Sequence, residues 1–146
     1  MFLGQYRHTI DNKGRLMVPA RFREILADGG YITQGFDRNL MVLTSQAFEF
    51  VSQRVNQLSL TDETARQLRR LIFATADRVD LDKTGRIRVP QFLMERAGFS
   101  GEAVIVGVGD YFEIWAPGSW DNQETMLQDA EVNAHRFEAL DLSTGP

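Results

Sequence analysis

The chain contains no cysteine, so a disulfide framework, a thiol nucleophile and a Cys-based zinc site are all excluded. Histidine is almost absent too. Only His8 and His135 occur, too few for a His-rich metal site, and no metal is expected. No apolar run is long enough to span a bilayer, so no membrane partner is expected. Met1-Phe2-Leu3-Gly4-Gln5-Tyr6-Arg7-His8 lacks the basic segment and apolar core of a signal peptide, which makes the cytoplasm the expected location. No glycine-rich run leads into a helix with a following Lys-Ser/Thr pair, so a phosphate loop is not read. Candidate catalytic residues are missing as well: Asp and Arg alone supply neither a nucleophile nor a general base near neutral pKa. Neither an enzyme nor a cofactor is expected.

What is present is globular. Of 146 residues, 43% are hydrophobic and 25% charged, which fits one domain or two small ones. The net charge of −4 conceals an uneven distribution. Residues 126–146 carry Asp129, Glu131, Glu138 and Asp141 against Arg136. Residues 1–25 carry Arg7, Lys13, Arg15, Arg21 and Arg23 against Asp11 and Glu24, a local charge of +3. Local clusters govern phosphate binding more than the total does, so acidity does not exclude a nucleic acid.

The strongest signal is internal repetition. Asp11-Asn12-Lys13-Gly14-Arg15-Leu16-Met17-Val18-Pro19-Ala20-Arg21-Phe22 recurs 71 residues later as Asp82-Lys83-Thr84-Gly85-Arg86-Ile87-Arg88-Val89-Pro90-Gln91-Phe92-Leu93. Arg7 falls on Arg78, His8 on Val79 and Ile10 on Leu81. At an offset of 72, Ile32-Thr33-Gln34-Gly35 falls on Val104-Ile105-Val106-Gly107, with Leu40 on Phe112, Val42 on Ile114, Leu43 on Trp115 and Phe48 on Trp120. The chain reads as a tandem duplication.

Each copy predicts the same elements. A strand (5–10 and 76–81) turns through a short loop into a second strand (15–18 and 86–89). In the first copy, pairing Ile10 with Leu16 and His8 with Val18 puts these four on one face, and Arg7, Thr9, Asp11, Arg15 and Met17 on the other. Asp11 then stands opposite Arg15 across Asn12-Lys13-Gly14, as Asp82 does opposite Arg86 across Lys83-Thr84-Gly85. Gly14 and Gly85 suit the left-handed third position of such loops. Pro19 and Pro90 end the strands and open short helices. A second hairpin is expected over 31–35 with 40–44, and 103–107 with 111–115. Phe48, Val51, Val55 and Leu58 form a helical stripe capped by Thr44 or Ser45, and a further helix starts near Thr61 with Leu68, Leu71 and Ile72 inward. A counterpart of the first helix starts near Ser119-Trp120, and the end, 142–146, looks frayed. The expected organisation is a first repeat over 1–48, connecting helices over 49–75, a second repeat over 76–120, and a C-terminal helix with an acidic tail over 121–146.

Two readings attach to the Asp–Arg pairs. They clamp the loops, or they fix guanidinium planes that, with Lys13 and Lys83, face an anion; both can hold together. His8 is expected at the edge of the core. Phe36, Phe48, Phe112, Trp115 and Trp120 recur at core-like spacing and are assigned to packing. Val106-Gly107-Val108-Gly109 is taken as a bulge or turn.

On Asp11-x-x-Gly14-Arg15-Leu16-x-Val18-Pro19-x-x-Phe22-Arg23 and Asp82-x-x-Gly85-Arg86-Ile87-x-Val89-Pro90, the chain resembles the MraZ family. Met1-Phe2-Leu3-Gly4 and the tract from Val104 to Trp115 resemble it as well, and the likeness extends over about residues 1–120. The resemblance implies a mostly β, α+β protein: a tandem-duplicated, AbrB-like swapped-hairpin β-barrel with flanking helices. It implies a regulator of the division and cell-wall gene cluster that forms homo-oligomeric rings and associates with the nucleoid. The family's Asp-x-x-x-Arg motif maps onto Asp11/Arg15 and Asp82/Arg86. The copies depart from each other at Lys13, which becomes Thr84, and at Asn12, which becomes Lys83.

A β-ribbon can enter the major groove, and Arg suits guanine edges while Lys suits phosphate. The expected DNA-binding residues are therefore Arg7, Lys13, Arg15, Arg78, Lys83 and Arg86, with Asp11, Gly14, Pro19, Asp82, Gly85 and Pro90 as the structural frame. The expected function is sequence-specific binding to direct repeats in double-stranded promoter DNA, with repression of its own operon. The alternative is a ring-forming protein-interaction scaffold without specific DNA binding.

Overall fold

A computed structural model describes residues 1–146. The first copy runs β1 (Gln5–Thr9), β2 (Arg15–Met17), α1 (Ala20–Ile25), β3 (Gly30–Gln34), β4 (Leu40–Thr44) and α2 (Ser45–Asn56). After α3 (Glu63–Ala74) the series returns as β5 (Asp77–Val79), β6 (Arg86–Arg88), α4 (Gln91–Ala97), β7 (Glu102–Gly107), β8 (Tyr111–Trp115) and α5 (Pro117–Leu127). A last helix, α6 (Ala130–Phe137), and a 3-10 turn (Glu138–Leu140) precede the irregular terminus. The fold is α+β, with antiparallel pairing throughout.

The local signals act within one residue of where they are expected: Asp62 rather than Thr61 caps its helix, and the two prolines precede the first helical position. Thr44 caps α2 by accepting from the Ala47 amide at 3.1 Å, and Asp62 caps α3 by accepting from Thr64. Pro19 and Pro90 stand at the capping positions of α1 and α4, one residue ahead of the first helical turn. Gly14 and Gly85 have φ of 81° and 84°, the left-handed geometry that closes both three-residue loops.

Strand partnership differs from the sequence reading. Between β1 and β2 only the Ile10–Leu16 bridge forms, and the expected His8–Val18 pair does not. Instead β1 crosses to the second copy, where Arg7 pairs with Val104, and β5 crosses to the first, where Arg78 pairs with Tyr31. The six-stranded sheet therefore runs β1-β7-β8-β4-β3-β5, with β2 and β6 forming a separate two-stranded ribbon. The copies have exchanged strands. Full five-residue pairing of β1 along β7 satisfies more backbone groups than a three-residue hairpin could.

The register also corrects the repeat alignment. Arg7–Val104 and Arg78–Tyr31 are equivalent pairs, which makes Val104 the counterpart of Tyr31 at an offset of 73, not of Ile32 at 72. Ile32 instead corresponds to Ile105, and both face the main core. The Gly35–Gly107 match is thus not a structural equivalence. The offset of 72 holds from β4 onward, because the β7–β8 turn is one residue shorter than its counterpart: Gln34 pairs with Leu40, and Gly107 with Phe112.

The sheet separates two apolar layers. On one side, Ile32, Leu40, Val42, Ile105, Phe112 and Ile114 meet Leu16 and Ile87 of the ribbon, Phe22 of α1 and Leu93 of α4. On the other, α2 and α3 cover Met41 and Leu43, while α5 sets Trp120 against Trp115, Val104 and Val106. The aromatic assignments hold for Phe112, Trp115 and Trp120, which are buried, and Phe48 is half-buried. Phe36 departs from them. It projects from the β3–β4 turn and is 65% exposed, because hairpin-tip residues lie beyond the helices that cover the sheet.

Candidate nucleic-acid interface

The candidate site is the β2–β6 ribbon. Arg15 pairs with Arg88, Leu16 with Ile87 and Met17 with Arg86. Leu16 and Ile87 are the inward residues, 0% and 1% exposed, so strand alternation turns Arg15, Met17, Arg86 and Arg88 outward. Val18 N–H donates to Gly85 at 3.0 Å and Val89 N–H to Gly14 at 2.7 Å, which ties each loop to the far end of the opposite strand. The loops thus sit at opposite ends of the ribbon, roughly 13 Å apart at about 3.3 Å per residue over four residues. Ladder parity makes Arg15–Arg88 and Met17–Arg86 non-hydrogen-bonded pairs, the type with the closer side chains.

Each loop is built around its aspartate. Asp11 Oδ1 accepts from the amides of Lys13 and Arg15 at 2.9 Å, and Oδ2 accepts from Arg15 Nε at 2.6 Å. Asp82 Oδ1 accepts from the Thr84 amide and hydroxyl and the Arg86 amide, all at 2.9 Å, and Oδ2 from Arg86 Nε at 3.0 Å. The Arg15 amide bond, above the other contacts, holds the Asp11 carboxyl below its ordinary pKa; the Arg86 amide does the same for Asp82, more strongly. Both stay ionised through the whole physiological range. With these loop amides turned to the aspartates, the side chains are the groups left to meet an anion.

Those side chains share one geometry. Arg15 and Arg86 are each anchored through Nε, and Arg88 donates Nε to the Lys13 carbonyl at 3.3 Å. In all three, neither Nη group makes a hydrogen bond within the chain. Three guanidinium forks are therefore held by one edge and offered by the other. A fourth, Arg23, donates Nε to Val18 at 2.8 Å and an Nη to Met17 Sδ at 3.2 Å. Lys13 and Lys83 stand exposed in the loops and make no ion pair. Lys13, Arg15, Arg23, Lys83, Arg86 and Arg88 thus outnumber Asp11 and Asp82 on one surface. Placing Arg15 directly across from Arg88 costs stability in a free sheet, since like charges repel there. A bound polyanion removes that cost.

Two of the sequence candidates lie elsewhere. Arg7 projects from β1 to the helical side of the sheet, where it pairs with Asp121 of α5 and lies 3.7 Å from Glu102. Arg78 bonds Asp80, Ser45 Oγ and the Asp28 carbonyl, and lies over the Tyr31 ring at 5.5 Å; Asp80 and Tyr31 raise its pKa. The expectation that both share a face with Arg15 fails because they belong to the exchanged strands, whose outward alternation points away from the ribbon. Sequence reasoning missed Arg88 and Arg23. The signal for Arg88 was available: it is two residues from Arg86, hence on the same face of one strand. Arg23 reaches the ribbon from a helix, which alternation along a strand does not reveal.

Fold and site together define a duplicated α+β protein in which β2 and β6, one strand from each copy, build a cationic ribbon. A family model described as "MraZ protein, putative antitoxin-like" matches twice, over residues 1–71 and 72–142. A protein of Roseiflexus castenholzii named Transcriptional regulator MraZ is 46% identical over 137 residues, 94% of each chain. One of the same name from Thermomicrobium roseum is 44% identical over 127 residues, 87% of this chain and 89% of its own. The chain belongs to the MraZ family.

Proposed function

We propose that the protein is a transcription regulator that binds DNA through the β2–β6 ribbon. The observation that carries this reading is the set of three guanidinium groups, Arg15, Arg86 and Arg88, fixed at Nε with free Nη edges on one exposed face. That is the geometry for bidentate contact to base edges or phosphates. Size agrees: loops roughly 13 Å apart match a major groove about 12 Å wide, so Lys13 and Lys83 reach the phosphate rims while the arginines face the floor. The names of the relatives add the regulatory role. The finer reading follows the family resemblance. On this reading the exchange of β1 and β5 corresponds to an AbrB-like swapped-hairpin arrangement, and ring-shaped homo-oligomers bind direct repeats at the promoter of the protein's own division and cell-wall gene cluster, as a repressor on the nucleoid. A ring gains affinity by presenting several ribbons at high effective concentration.

The test is a shift assay on that promoter in graded salt. Binding falls steeply despite the net charge of −4, since each neutralised phosphate contributes about −0.9 to the log–log slope. Lys13→Ala and Lys83→Ala each reduce the slope by about 1. A flat response refutes the reading and favours the protein-interaction scaffold.

A further inference from the structure

Resting on that reading, we infer that Arg88, whose counterpart in the other repeat is Met17, is the residue that gives the ribbon a fixed polarity on each repeat unit of its DNA. The ribbon has an internal two-fold relation: the exchange maps Arg15 onto Arg86 and Leu16 onto Ile87 about the Leu16–Ile87 pair. A face with that symmetry binds a duplex equally well in either direction. The relation fails at one outward pair of positions. The counterpart of Arg88 is Met17.

The consequence is two unlike ends. At one, Arg15 and Arg88 stand side by side across the strands, both with free Nη edges, next to Lys13. At the other, Arg86 faces Met17, next to Lys83. Arg23 restores the charge there but not the geometry. Its Nε is bound by the Val18 carbonyl and one Nη by the Met17 sulfur, so it offers no complete fork. Its own counterpart, Met94, is buried, 3% exposed. One end therefore presents two neighbouring forks, and the other a single fork beside an apolar thioether. Neighbouring forks can engage adjacent base pairs, whereas a thioether can only meet apolar groups such as a thymine methyl. The shift of lysine from Lys13 in one loop to Lys83 in the other moves a phosphate contact, and phosphate contacts carry no sequence information directly. Polarity thus rests on the base-facing pair.

The experiment is selection of bound duplexes from a randomised pool by the full-length protein, reading the base pattern within one repeat unit. Wild type selects an asymmetric unit. Arg88→Met, which gives both ends a methionine, binds that unit about tenfold more weakly, as expected for the loss of one bidentate contact, and selects a unit closer to a palindrome. Met17→Arg with Arg23→Met copies the Arg88 and Met94 arrangement into the first repeat and also selects a symmetric unit, with two heavy ends. A symmetric unit for wild type, or an asymmetry unchanged in both variants whose folding is intact by thermal melting, overturns the inference and leaves the DNA-binding function standing. Failure of wild type to enrich any duplex refutes that function, and the inference with it.

Discussion

Gly14 and Gly85 are equivalent in the duplication and nearly equal in φ, yet alanine should affect them differently. Both substitutions force an L-residue into the left-handed region at a cost of about 1–2 kcal/mol. Both recover about 0.4–1 kcal/mol from a stiffer unfolded chain. Their surroundings decide the rest. A β-carbon on Gly14 would stand 2.2 Å from the Val89 carbonyl oxygen, a backbone atom that cannot swing away. The strands must part, and the 2.7 Å bond from Val89 N–H to the Gly14 carbonyl goes with them, a net loss of about 0.5–1.5 kcal/mol before any repacking. A β-carbon on Gly85 would meet Arg23 Nε at 2.6 Å, part of a long side chain that can rotate into water, giving up its 2.8 Å bond to the Val18 carbonyl without parting the strands. The expected losses are about 2–3 kcal/mol for Gly14→Ala, which also parts the strands, and about 1–2 kcal/mol for Gly85→Ala. Calorimetry or a circular dichroism melt should show midpoints lower by about 5–10 °C and about 3–6 °C. Gly85→Ala should still weaken DNA binding, because Arg23 has left the ribbon. Equal midpoint shifts, or a larger loss for Gly85→Ala, would refute this account of the loops.

Arg15→Ala should reduce affinity for promoter DNA about tenfold or more while leaving the melting midpoint within about 2 °C, because Arg15 lies outward on the ribbon. A collapse of the fold would show that the clamp is its main role. Acid should not release the Asp11 and Asp82 clamps until well into the acidic range. Their pKa values are depressed in the folded state, so the stability they contribute is complete above the unfolded value of about 3.9 and is lost only as pH falls through the lower folded values; loop amide shifts in an NMR titration should therefore stay constant from pH 7 to about pH 4. Glu113 behaves oppositely. Burial raises its carboxyl pKa, so wild-type stability is lost as pH rises from the ordinary carboxylate range through the raised folded value. Glu113→Gln, which keeps an acceptor for Trp115 Nε1, should raise the melting midpoint at pH 7 and lose that advantage as pH falls.

The elements written into short stretches of sequence were the legible ones. Asp11, Gly14 and Arg15 specify their loop within five residues, and Thr44 and Asp62 mark helix starts by their own capping bonds. Partner choice was not legible. Alternation says which face a residue occupies but not which strand lies beside it, so β1 and β5 read as hairpin arms although each pairs with the other repeat. The slip between β3 and β7 has a related cause. Ala103, Val104, Ile105 and Val106 are all buried, on two sides of the sheet. A strand that is apolar on both faces carries no alternation to fix its phase. Arg7 and Arg78 were misplaced for the same reason as their strands, since a face assignment is only as good as the pairing beneath it.

Strand exchange also explains why the outward face of the ribbon can be asymmetric at all. A two-stranded ribbon alone is marginal in water; this one persists because Leu16 and Ile87 reach into the shared core and because each loop is tied to the opposite strand. The surface therefore exists only when both repeats are folded against each other. Two identical separate chains exchanging strands in this way would be obliged to place the same residue at both ends of the ribbon. Covalent linkage of the repeats removes that obligation while keeping the shared core, whose inward positions remain matched: Leu16 with Ile87, Val18 with Val89, Phe22 with Leu93. The outward positions are free to diverge, as Met17 and Arg88 have. The difference between the two strands of the ribbon follows this division: the inward positions are conservative, and of the outward ones Arg15 and Arg86 remain alike while Met17 and Arg88 do not.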